Sequence, residues 1–318
     1  MTAATPRRRT LLGAALGAAL TVGSTAGCSA GHDPVRTLRL ATGPEGGPYN
    51  AFGRSFTEAV AHSGRLTLTP VGSSASVENL QQLADGSVDL ALTTADVAED
   101  AVLGHAAFDR PIGLTALARV YVNYLHLLAP ADGPVRQLAD LAGRRVATGA
   151  VGSGNQVTAG RLLRQAGIDV RQHPLGLAES LEALRSGELD AVFWSGGVPT
   201  PAVSALAREL PLRFVPLDAV AALLRERYGP VYTAVTLPAC AYGLPDPVAT
   251  LGVGNYLTAR PAVPEDAVRR LLGILFDQWA TLLRSVTAGA RLEPRFAVST
   301  GAVPLHPGAA AYYRSVYG

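Results

Sequence analysis

The 318-residue sequence predicts an α/β protein built from two similar halves, and three observations lead there. One order of signals, strand, glycine loop, helix, strand, helix, strand, occurs twice along the chain. Each copy alternates strand and helix in the way that produces a parallel sheet covered by helices. The length suits two domains at a prior of ~150 residues each, so each half can hold a core.

The first copy opens with a strand over Leu38–Ala41, followed by the loop Ala41-Thr42-Gly43 with Gly46-Gly47. A helical pattern runs from Ala51 to Val60 and an apolar strand from Leu66 to Val71. The next helix places Val77, Leu80 and Leu83 on one face, with Ser76 as its expected N-cap and Gly86 as its stop, and the strand ending at Leu92 completes the copy. The second copy repeats this with a strand over Arg144–Thr148, the loop Gly149 to Asn155, and a helix from Gln156 to Gln165. A short strand, a helix carrying Leu177, Leu181 and Leu184 before Gly187, and a strand ending at Phe193 follow. Between the copies lies a β-rich run, Leu114 to Ala129. After them come a strand at Leu212–Pro216, a helix at Ala219–Arg227 and an extended run at Val231–Ala241. The two extended runs are expected to carry the chain between halves, with hinges at Tyr121–Leu128 and Val231–Ala241. A long amphipathic helix from Pro264 to Leu283 is expected to pack back on the first half, with Pro264 at its start, where a missing N–H does no harm.

The first 27 residues read as a cleaved leader. Arg7, Arg8 and Arg9 precede the uncharged stretch Thr10–Val22, which is too short for the ~20 residues of a spanning helix, and small residues lead to Cys28. Thr25-Ala26-Gly27-Cys28 resembles a bacterial lipobox, although Thr25 stands where leucine is usual, so Cys28 is expected to carry lipid and residues 28–36 to form a tether. Arg8-Arg9-Thr10-Leu11-Leu12 fits a twin-arginine export signal as well as an ordinary one. The expected location is the outer face of the cytoplasmic membrane. Without the leader the chain loses three arginines and no acid, and its formal charge moves from +2 to −1. That balance argues against nucleic acid as a partner. With Cys28 lipidated, Cys240 has no partner, and its apolar neighbours suggest a small buried hydrophobe.

Glycine loops that end a strand and open a helix leave backbone N–H groups free at the positive end of the helix dipole, a receptor for a carboxylate or phosphate. Gly43–Tyr49 and Gly149–Asn155 are such loops, and Ser73, Ser74 and Ser76 lie beside a third helix start. The sequence contains no lysine, so neither loop is a nucleotide P-loop, and the first also departs from the dinucleotide fingerprint. Six histidines stand singly without metal-ligand spacing, and Ser195-Gly196-Gly197 lacks the flanks of a hydrolase elbow. The expectation is a binding protein rather than an enzyme, with no cofactor and no metal.

The residues also resemble a family. Ala41-Thr42-Gly43 with Gly46-Gly47 and Tyr49, Ser76 to Leu80, Gly86-x-x-Asp89-Leu90-Ala91, Gly152-Ser153-Gly154, Gly197 to Ala202, Tyr228-Gly229 and Pro304 to Ala309 with Tyr312-Tyr313 are similar, in order, to the solute-binding subunits of TAXI-type TRAP transporters. The resemblance implies a type II periplasmic-binding-protein fold with two crossover strands and a ligand cleft between lobes. Lobe 1 would comprise residues 37–124 plus 243–318 and lobe 2 residues 125–242. It implies a monomer that binds a small amino acid or organic acid for a membrane permease. The same shape also suits a sensing module read by a histidine kinase and, less well, a transferase. By position, the implied ligand contacts are Thr42, Gly46, Gly47 and Tyr49 in the first loop and Ser73, Ser74 and Ser76 in the next. In the second half they are Ser153, Gly154 and Asn155, with Gly197 and Pro199 on the far wall. Glu45 stands where the family carries a small hydroxyl residue. Facing the cleft it would select a cationic ligand; at the loop tip it would face solvent.

Overall fold

The computed structural model describes residues 36–64, 66–284, 286 and 292–318. The leader, Cys28 and the tether lie outside these residues, apart from Arg36. The first copy consists of β1 (Arg36–Ala41), α1 (Pro48–His62), β2 (Leu66–Val71), α2 (Ser76–Asp85), β3 (Leu90–Thr94) and α3 (Ala95–Leu103). The long β4 (Thr115–Pro130) leads to the second copy, β5 (Arg145–Ala147), α4 (Gly154–Ala166), β6 (Arg171–His173), α5 (Leu177–Arg185) and β7 (Ala191–Gly196). Then come α6 (Pro201–Glu209), β8 (Leu212–Phe214), α7 (Asp218–Tyr228), β9 (Tyr232–Leu237), β10 (Val248–Ala259), α8 (Glu265–Asp277), α9 (Trp279–Arg284), α10 (Pro294–Ala297) and α11 (Pro307–Tyr317).

The repeat seen in sequence is a repeat in space. β2-β1-β3 and β6-β5-β7 are parallel triplets with the same internal order, β1 and β5 each lying between the strands that follow them. Between the triplets run β10 and β4, antiparallel to each other and to the triplet strands they meet. β4 pairs with β10 over Thr115–Tyr124 and with β7 over Tyr124–Leu128. β10 pairs with β9 over Val248–Val253 and with β3 over Asn255–Ala259. Both long strands are thus shared by the two halves. The second crossing segment is β10, not the run 231–241, which supplies β9 and stays beside the first half of β10.

Three other expectations are corrected. The N-cap of α2 is Ala75, at φ 105°, and Ser76 begins the helix with its hydroxyl turned to other work. The helix expected over 264–283 is two helices: Gln278 leaves helical geometry at φ −109°, ψ 8°, and Pro264 is the N-cap rather than a first-turn residue. Cys240 is exposed, because the chain has already left β9 and turns tightly through residues 238–244, with Cys240 at φ 71°.

The buried face of α8 (Ala267, Val268, Leu271, Leu272 and Leu275) follows the helical period and shares a core with Leu38, Leu40, Phe52, Phe56 and Val60. Helix α8 therefore packs on the first half of the sheet, as expected.

Candidate functional site

Where the two copies face each other, a cleft lies between their glycine loops, with about 80 Å³ open to the centres of water-sized molecules. From the first copy it is lined by Pro44, Gly47–Tyr49, Ser74–Ser76 and Thr94. From the second it is lined by Gly149, Ala150 and Ser153–Asn155, and Asn123 joins from β4. Leu175–Leu177, Ser180 and Phe193–Ser195 complete the far wall. The starts of α1, α2, α4 and α5 all border this space. Their first N–H groups lack partners within the helix, so four positive dipole ends meet around one cavity. None of the lining side chains carries a charge.

The first-copy wall is held by a hydrogen-bond chain whose direction can be read. Asn255 Nδ2 donates to Tyr121 O, which leaves its Oδ1 to accept the Tyr49 hydroxyl proton at 2.6 Å. With its proton committed, Tyr49 Oη accepts from Ser76 Oγ at 3.2 Å, and Ser76 Oγ accepts the Thr94 N–H at 3.1 Å. Burial pushes the Tyr49 phenol well above its ordinary range, so it remains a donor at any physiological pH. Ser74 is similarly engaged: its N–H and its hydroxyl both donate to Glu78 Oε2, holding that carboxyl below its usual range.

In the second copy Ser153 caps α4, accepting from Gln156 N and donating to Ala150 O. Asn155 Nδ2 donates to Phe193 O at 2.8 Å, which turns its Oδ1 away from that carbonyl. Thr94 Oγ1, Asn123 Oδ1 and Asn155 Oδ1 are buried and make no hydrogen bond within the protein. All three belong to residues that line the cleft.

The two walls approach closely. Val77 N donates to Gly152 O across the cleft at 3.0 Å. A β-carbon on Gly154 would sit 2.7 Å from Thr94 Oγ1 and 2.8 Å from Ser76 Oγ, so only glycine lets α4 come this near the first copy. Behind the cleft, α3 and α4 are joined by a buried network. Arg161 pairs with both oxygens of Asp100 at 2.5 and 2.6 Å and donates to Tyr232 Oη. Asp96 Oδ2 accepts from Thr158 and Tyr232, and the Arg161 guanidinium stacks on Tyr228.

Of the thirteen residues expected at the site, Gly47, Tyr49, Ser74, Ser76, Ser153, Gly154 and Asn155 line the cleft; Thr42, Glu45, Gly46, Ser73, Gly197 and Pro199 do not. Thr42 is buried against Gly53 of α1 and gives its proton to Val71 O. Ser73 Oγ bonds Asn79 Oδ1 and accepts from Ala75 N. Glu45 and Gly46 are the central residues of a turn closed by Gly47 N to Pro44 O, with Gly46 at φ 76°, and such a turn carries its corner out into solvent. Gly197 O is taken by the Thr200 hydroxyl, and Pro199 is exposed. The sequence reading missed Thr94, Asn123, Ser180, Phe193 and Trp194. Asn123 had a signal, a polar residue in the midst of the apolar crossing strand.

The sequence profile of the NMT1-like family matches residues 40–316. The chain belongs to the NMT1-like family. Among solved structures it is similar in fold to MatC from Rhodopseudomonas palustris with bound malate, at 19% identity over 79% of this chain and 89% of that one, TM-score 0.53. The periplasmic binding protein BugD matches at 13% identity over 79% and 87%, TM-score 0.54. A TctC solute-binding protein from Polaromonas matches at 16% identity over 90% and 99%, TM-score 0.50. This member of the NMT1-like family has the two-lobe, type II periplasmic-binding-protein fold, and the cleft just described lies where its lobes face each other.

Proposed function

We propose that this chain is an extracytoplasmic solute-binding lipoprotein that closes around a small amino acid or organic acid and delivers it to a TRAP-type permease of the TAXI class. The observation that carries the reading is the cleft itself: four helix starts, and three residues that each hold an unpartnered buried polar atom, line one cavity between the two copies of the repeat. Nothing in that set is a nucleophile paired with a base; it is equipped to hold rather than to convert. The resemblance of the chain to TAXI receptors supports the permease partner, and the leader with Cys28 supports an anchored location outside the cytoplasmic membrane.

We place the division between lobes in β4 near residue 124, where its partner strand changes from β10 to β7. We place its counterpart in β10 near residue 254, where the partner strand changes from β9 to β3. These shared strands are the hinge. Small-angle scattering with a saturating ligand tests the clamp: the radius of gyration falls on binding, and an unchanged value with a ligand that raises the melting temperature contradicts closure.

A further inference from the structure

Resting on the reading of the cleft as a solute site, we propose that it selects a net-neutral zwitterion, an α-amino acid with an uncharged apolar side chain, and that Asn155 Oδ1 reads the ligand's ammonium group. No Asp, Glu, His or Arg lines the cleft, and the sequence has no lysine to supply. One ligand carboxylate is matched by N–H groups at helix starts. A second carboxylate, as in glutamate or a dicarboxylic acid, would lose its hydration with no cation to meet it.

The bond from Asn155 Nδ2 to Phe193 O fixes the amide, so the atom it leaves without a partner, on a residue that lines the cleft, is an oxygen that can only accept. Asn155 is 8% exposed and Asn123, whose Oδ1 is also unpartnered, is 4% exposed. Carbonyl oxygens buried in this way call for a donor, and an ammonium group is the donor an amino acid carries next to its carboxylate. Leu175, Leu177, Phe193 and Trp194 present an apolar wall on the same side of the cavity as Asn155, fit for an aliphatic side chain.

Calorimetric titration of the purified protein with L-leucine, 4-methylpentanoate, L-glutamate and succinate tests the proposal. 4-Methylpentanoate is leucine without its ammonium group, so the pair isolates what Asn155 reads. Leucine is expected to bind at least ~tenfold more tightly than 4-methylpentanoate, with glutamate and succinate weaker than leucine by a similar factor or more. In Asn155→Ala, with its unliganded melting temperature checked, the preference for leucine over 4-methylpentanoate collapses to within ~threefold. Glutamate or succinate binding as tightly as leucine overturns the proposal, as does equal binding of leucine and its deaminated analogue, or no binding by any of the four. In that last case a thermal-shift survey of other small solutes separates the two claims. A ligand that stabilises the protein leaves the solute site standing, and none at all removes both.

Discussion

At the scale of single residues, Gly154 is the most constrained position in the cleft. Its backbone is ordinary for a helix start, so alanine there suits α4 itself; the obstacle is Thr94 and Ser76 on the opposite wall. Gly154→Ala is therefore expected to leave each lobe folded and to oppose their approach, weakening ligand binding by ~tenfold or more, since ~1.4 kcal/mol of clash is a factor of ten. Unchanged affinity by titration would contradict the closed geometry. Glu45→Ser, in contrast, should leave affinity for acidic and cationic amino acids within ~twofold of wild type, because a charge at an exposed turn corner is screened by water and salt. A large gain for acidic ligands would return Glu45 to the cleft.

Ser76 shows how far a residue can be read from sequence. Its place on the cleft wall was legible from its neighbours, but its proton goes to Tyr49, whose own proton goes to Asn255, 179 positions beyond Ser76 in the sequence. No local pattern encodes that chain. Thr94 was missed for a related reason: a threonine ending a buried strand looks like core until the partner loop arrives from the other half.

At the scale of elements, the far wall depends on how β4 holds β7. His126 on β4 is wholly buried; its Nδ1 donates to Trp194 O and its Nε2 accepts the Tyr242 hydroxyl proton, since Tyr242 Oη is already an acceptor for Thr200 N. Burial pushes this imidazole down from 6.5 to about 4. The unfolded chain thus takes up a proton that the folded one refuses. Stability from this group is whole above pH 6.5 and is lost as pH falls toward 4, by ~3 kcal/mol in all if the full shift is expressed. Chemical denaturation at pH 7.5 and 4.5 should show this loss, and His126→Asn should lessen the difference. An equal pH dependence in the variant would mean other groups carry it.

The helices and strands of both copies were legible because apolar spacing and glycine stops are local. The break at Gln278 was not, because an apolar stripe continues across it into α9.

At the scale of the molecule, the fold was visible as a repeated order of signals, and the structure turns that order into two parallel triplets about two shared strands. What the sequence pattern did not supply was β10, the strand over Val248–Ala259 that returns to the first half; pairing with both β9 and β3 marks it as the shared one. The halves are also tied by Arg161 between α4 and α3. Removing this cation leaves Asp96 and Asp100 together in a buried site, and burial already pushes Asp100 upward despite its partner. Arg161→Ala should cost ~3–5 kcal/mol of stability by denaturant titration. A loss under ~1 kcal/mol would mean the network is hydrated and weak. Outside the described residues, Cys28→Ser should move the exported protein from membrane to soluble fraction with ligand affinity intact; a variant still membrane-bound would point to an uncleaved leader as the anchor.

Whether the cleft holds a small solute is read by native mass spectrometry of the protein purified without denaturation, compared with the same protein denatured and refolded. A solute-binding cleft should give a single non-covalent adduct of small-molecule mass, one per chain, lost on denaturation and restored by adding the identified compound. A bare protein that also acquires no one-to-one adduct from a library of amino acids and organic acids would contradict it.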